Sequence, residues 1–230
     1  MKKLSIFLFG AVALFSLTQI AVADTVTLVG GSGYGPYQTG SGGEFTLSPS
    51  SGLAGLVSLY DPIKTSNIVQ PGTFQSFCLE GNEVISAYGT YNAVLNSAAV
   101  AGGVGGGSPD PISIGTAYLY SQFATGALSY NYGANRTTSA ALLQNAFWAL
   151  EDEIANPAPG TNAYYDLVAG MYANPEADSY GAYGVKALNL TTLAGGPAQD
   201  VLILTPVPEP LTMLLLGLGL LGVAGIRRKL

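Results

Sequence analysis

The sequence predicts an α+β fold with one added C-terminal transmembrane helix. Three observations carry that reading. Short β-prone runs broken by glycine fill the stretch from Asp24 to about Ile85. Apolar residues at helical spacing dominate the middle, from Ile114 to Ala173. One strand-like run, Asp200 to Leu204, closes the stretch. Strands, then helices, then a strand is the order of an α+β domain.

The N-terminal end is an export signal. Met1-Lys2-Lys3 is a positive start, Leu4 to Leu17 is almost wholly apolar, and Ala21-Val22-Ala23 is a small-x-small cleavage site before Asp24. Residues 1–23 are therefore expected to be removed. Thr25 to Val29 and Glu44 to Leu47 alternate apolar and polar residues and read as strands; Leu53 to Tyr60 and Thr73 to Leu79 are further strand candidates. Gly30 to Gly43 is rich in Gly, Ser and Tyr and reads as a long loop, and Gly102 to Pro111 as a flexible loop that divides the domain.

The helical zone follows. Ile114 to Leu128 is apolar at mixed helical spacing. Thr137-Thr138-Ser139 can cap a second helix running to about Ala155, stopped by Asn156-Pro157. Within it Leu143, Phe147, Leu150 and Ile154 recur as one buried stripe, with Gln144 and Trp148 on an adjoining face. Asn162 to Ala173 reads as a third helix.

Beyond about Thr205 the chain changes character. Pro208-Glu209-Pro210 precedes an apolar run from Leu211 to Ile226, which ends in Arg227-Arg228-Lys229. As a helix that run covers about 24 Å, a little short of a bilayer core, a gap that flanking residues or local thinning close. The basic stop belongs on the cytoplasmic side, which leaves residues 24–205 outside. This tail resembles the PEP-CTERM sorting signal of Gram-negative bacteria. The resemblance implies an exosortase-type processing enzyme as partner, the inner membrane as the site of anchoring before processing, and then the cell surface or extracellular matrix.

Charge narrows the partners. Between Asp24 and Thr205 thirteen carboxylates face only Lys64, Arg136 and Lys186, a net charge near −10. Nucleic acid needs a basic face and is excluded. The chain has no histidine, which excludes Ser-His-Asp catalysis and histidine metal ligation. Glu151-Asp152-Glu153 reads as a solvated acidic patch without metal-loop spacing. No cofactor and no metal site is expected.

One thiol remains. Cys78 is the only cysteine, in Phe77-Cys78-Leu79, and exported chains normally pair their cysteines. A buried free thiol is one answer; a sulfur bonded to a glutamine side chain is another. Leu143-Gln144-x-x-Phe147-Trp148 lies downstream. This pair of motifs, in this order, resembles the thioester domains of bacterial surface adhesins. The resemblance implies an intramolecular thioester between Cys78 and Gln144, with Phe77, Leu79, Leu143, Phe147 and Trp148 as its apolar surround. It further implies covalent capture of a surface or matrix partner carrying an amine or a hydroxyl. That is one acyl transfer per molecule, so the chain is not expected to be an enzyme. The alternative is a structural, exopolysaccharide-associated matrix protein with a buried free cysteine.

Overall fold

The computed structural model describes residues 23–31, 35–38, 41–65, 71–100, 103–105 and 107–207. Residues 1–22 of the expected signal peptide, the Pro208-Glu209-Pro210 motif, the expected C-terminal transmembrane helix and its basic stop lie outside them. Among the described residues no helix is long and apolar enough to cross a membrane.

The described chain is a mixed α/β fold built on one antiparallel sheet. In chain order its elements are β1 (Thr25–Val29), β2 (Phe45–Pro49), β3 (Phe74–Ser76), β4 (Thr90–Asn96), β5 (Ala98–Ala99), β6 (Asp110–Pro111), α1 (Ile114–Ala124), α2 (Arg136–Leu150), α3 (Ala163–Met171), β7 (Val185–Thr192) and β8 (Val201–Leu204). Six strands run β3-β2-β1-β4-β7-β8, and β5 and β6 form a small separate ribbon. Register follows burial: Val26 pairs with Pro49 and Tyr91, so that its buried side chain faces the core.

The sheet almost closes on itself. Just past β3, Leu79 N–H donates to Asp200 O (2.9 Å), and Leu202 N–H donates to Phe77 O (3.1 Å). These bonds join the two outer strands, which removes most of an open edge. Buried Tyr120 seals the seam from α1, its hydroxyl lying 2.9 Å from Gln75 O and 3.0 Å from Leu202 O.

Helix α1 is buried almost all round, which explains the mixed spacing of its apolar residues. Ser113 caps it, accepting from Thr116 N–H (3.2 Å). Helix α2 begins at Arg136, before the expected Thr137-Thr138-Ser139 cap; Ser139 Oγ instead accepts from Asn131 N–H (3.3 Å). It also stops at Leu150 rather than near Ala155. Leu143, Phe147 and Leu150 form the buried stripe, while Ile154, past the helix end, is half exposed. Asn162 caps α3 through Tyr164 N–H and Tyr165 N–H.

Three strands, β4, β5 and β7, were not expected from the sequence. The run Leu53 to Tyr60, expected as a strand, is a 3-10 helix over Ala54–Leu59. Its buried ends, Leu53 and Tyr60, pin it to the core, while the residues between stay half or fully exposed. The end of the expected loop Gly102 to Pro111 forms β6 against β5.

Candidate functional site at Cys78 and Gln144

Cys78 sits at the seam of the sheet. In an extended segment, successive residues direct their backbone groups to opposite sides. Phe77 and Leu79 bond to β8, so the N–H and C=O of Cys78 point the other way, toward α2. There they meet the side chain of Gln144. Cys78 N–H donates to Gln144 Oε1 (3.1 Å), and Gln144 Nε2 donates to Cys78 O (2.9 Å). The primary amide thus pairs with Cys78 as a neighbouring strand would.

A second donor reaches the same oxygen. Gly43 N–H lies 3.0 Å from Gln144 Oε1. Two backbone N–H groups on one carbonyl oxygen polarise its carbon, and the same pair stabilises an oxyanion if that carbon is attacked. All of this is buried: Gln144 is 1% exposed and Cys78 3%. Burial, and secondarily the Glu83 carboxylate, push the Cys78 thiol up, so the sulfur stays protonated and no thiolate stands ready.

The residues around the pair separate into two groups. Phe77, Leu79, Leu143 and Phe147 are all buried in the core. Phe77 packs edge-on against Phe123 and Phe147, at centroid distances of 5.0 and 5.2 Å. Trp148 is one turn past Gln144, and it lines a cavity of about 310 Å³ together with Cys78, Gly42, Glu83, Val84 and Gln199. Its indole Nε1 is buried with no hydrogen-bond partner among the described residues. A Cβ built on Gly42 would lie 2.6 Å from Trp148 Cη2 and 2.8 Å from Gln144 Cγ. Only glycine lets the backbone close over the indole and the amide.

The acidic run after α2 is not a solvated patch. Glu151 and Glu153 are each 5% exposed, and only Asp152 faces water. Glu151 accepts from Ser113 Oγ (2.7 Å) at the start of α1, and Glu153 accepts from Gly81 N–H (2.6 Å) and Val104 N–H (2.8 Å). Loop N–H groups that no strand or helix pairs need acceptors, and these carboxylates supply them. Glu80 lies beside them, 4% exposed. Burial, then the charges of Glu153 and Asp110, push its carboxyl up to about 9. Among the described residues no group of three or more His, Cys, Asp or Glu is placed to hold a metal ion.

The tail carries the other recognisable feature. Residues 206–229 match the PEP-CTERM protein-sorting motif. The chain therefore bears a PEP-CTERM sorting signal. Such signals mark proteins that are exported, anchored in the membrane before processing and sorted by an exosortase. The PEP-CTERM match spans the tail alone and leaves the chemistry of the exported part to its own residues. No curated protein and no solved structure matches the chain.

Sequence reasoning missed Gly42, Gly43 and Glu83. The glycine-rich character of Gly30 to Gly43 was visible, yet nothing local ties that loop to a glutamine 101 residues later.

Proposed function

We propose that residues 24–205 form an exported domain with an internal thioester between Cys78 and Gln144, which captures one amine-bearing, or less readily hydroxyl-bearing, partner on the cell surface or in the matrix. The observation that carries this reading is the clasp on Gln144. Its Oε1 accepts from Gly43 N–H and Cys78 N–H, and its amide lies against the cysteine's own backbone. The polarised carbon compensates for a thiol that is not ionised. In the bond-forming step Sγ adds to Cδ, the oxyanion rests on the two N–H groups, and the nitrogen leaves as ammonia with the thiol proton. Trp148, Phe77, Leu79, Leu143 and Phe147 form the apolar surround, with Trp148 nearest the opening, and water is held off the acyl group. Capture reverses the polarity: a partner amine attacks Cδ and the Cys78 sulfur leaves. One transfer consumes the site, so the protein is not a turnover enzyme.

A second reading has an observation of its own. The three hydrogen bonds on Gln144 also satisfy a buried amide and tie α2 to the sheet seam. On that reading Gln144 is a structural clamp, Cys78 a buried free thiol, and the molecule a non-covalent matrix protein. Mass decides between them. The purified full-length chain should weigh about 17 Da less than its processed sequence, the mass of one ammonia. Cys78→Ala and Gln144→Ala should each abolish the deficit. A wild-type chain of full mass with one titratable thiol after unfolding ends the thioester reading.

A further inference from the structure

The cavity beside Cys78 contains one carboxylate that neither the clasp nor the apolar surround uses. Glu83, in the loop that follows Cys78, lines the same space as Cys78 and Trp148. It is held in place: its Oε2 accepts from Asp200 N–H (3.1 Å). None of the other lining residues is cationic. The described bases are engaged elsewhere or lie outside this lining. Arg136 is bound to Glu44, Lys64 Nζ donates to Gly126 O (2.8 Å), and Lys186 is on β7.

We propose that Glu83 is the receptor and general base for the nucleophile, and that the site takes a primary alkylammonium rather than a neutral amine or a hydroxyl. This rests on the thioester reading above. An aliphatic amine is almost wholly protonated near neutral pH and cannot attack until it loses a proton. The cavity supplies an acceptor for that proton beside Cys78 and Gly42, the two lining residues that adjoin the Gln144 side chain. The ammonium docks on the Glu83 carboxylate, which takes one proton. The neutral nitrogen then attacks Gln144 Cδ, the C–N bond forms and the C–S bond breaks. A second proton on that nitrogen passes to the departing Cys78 sulfur, and Glu83 returns its own to water. The products are an amide on residue 144 and a free thiol.

Glu83 is suited to that exchange. Burial, with the Asp200 and Glu153 charges against the Asp200 N–H bond, holds its carboxyl up at about 7. A base is most effective when its pKa lies near the working pH. The groups that set its charge are Asp200 from just before β8, Glu153 from the turn after α2, and Glu80 and Cys78 from its own segment.

The test compares two probes on the full-length chain, methylamine as a cation and hydroxylamine as a neutral nucleophile near pH 7.5. Addition is followed by mass and by release of the Cys78 thiol. With Glu83 ionised and methylamine protonated, the wild-type methylamine rate should rise through pH 7 and then level off. In Glu83→Gln it should instead follow the free-amine fraction and fall at pH 7.5 by about 100-fold, the lower range for loss of a general base. Hydroxylamine should slow far less. Gln keeps an acceptor for Asp200 N–H, so the variant should retain its mass deficit, which reports an intact site. A wild-type methylamine rate with no inflection near 7, or equal slowing of both probes by the variant, overturns the role of Glu83 while leaving the thioester. Absence of the mass deficit in wild type overturns both.

Discussion

Replacing Gly42 with alanine puts a methyl group where the Trp148 indole already sits. The Cβ would lie 2.6 Å from Cη2 and 2.7 Å from Cζ2 of Trp148, and 2.8 Å from Gln144 Cγ. Carbon atoms pack at about 3.5–4.0 Å, so one side must move by about 1 Å. The helix-borne partners are the harder side to move, because Gln144 is held by three hydrogen bonds and Trp148 is 9% exposed. The loop moves instead and carries Gly43 N–H away from Gln144 Oε1. Gly42 also has φ of +70°, and a left-handed alanine costs about 1–2 kcal/mol. Overpacking adds about 1–3 kcal/mol, for a sum of about 2–5 kcal/mol. At about 2–4 °C per kcal/mol for a domain of this size, the melting temperature should fall by about 4–20 °C. Gly160→Ala is the control. Gly160 also has a left-handed φ, +82°, but no described atom lies within 4 Å of its Cβ position. It should lose only the conformational part. Thermal melts of both variants isolate the packing term as their difference, expected near 1–3 kcal/mol. Intact mass followed over time should show Gly42→Ala losing its deficit to water faster than wild type. Equal stability losses in the two variants, with equal lifetimes of the deficit, would refute the closure of Gly42 over Trp148 and Gln144.

Arg136→Ala should cost about 3–5 kcal/mol in thermal or urea unfolding, because Glu44 is 0% exposed and would lose the cation that neutralises it, keeping the Tyr130 hydroxyl (2.7 Å) as a neutral donor. A loss below about 1 kcal/mol would show that the pair is solvated. Stability should fall as pH rises from 5 to 9. Glu80 and Glu151 have folded-state carboxyls raised from 4.5 to about 9 and about 7, by burial above all. Their contribution is complete below pH 4.5 and is lost as pH climbs through 7 and then 9. Melting curves in a Cys78→Ala background keep thioester hydrolysis out of the measurement; Glu80→Gln should flatten the upper part, and an unchanged slope would count against the buried state of Glu80.

Much of the helical zone was legible because helices are local. Ser113 and Asn162 cap α1 and α3 within three residues, and the stripe of Leu143, Phe147 and Leu150 needs only the helical period. The end of α2 was not legible. Glu151 and Glu153 turn toward Ser113 and toward Gly81 and Val104, and those acceptor needs arise elsewhere in the chain. Strands β4 and β7 escaped for a related reason. In β4, Val94 and Leu95 are both exposed in part, which blurs the alternation; in β7, buried Asn189 donates its Nδ2 to Ala98 O and the Asp200 carboxylate. A polar residue reads as surface until its distant partner is known.

Composition and short motifs alone established the sorting signal, the strongly acidic middle, the lack of any histidine and the two residues on which the proposed chemistry turns. Only the tertiary structure decided that Cys78 and Gln144 meet. The closing of the sheet between β3 and β8 turns the backbone of Cys78 toward α2, α2 brings an amide to it across 66 residues, and a glycine pair from a third segment covers the junction. Backbone N–H groups have no sequence signature, so the donors that polarise the Gln144 carbonyl become visible once the chain is folded.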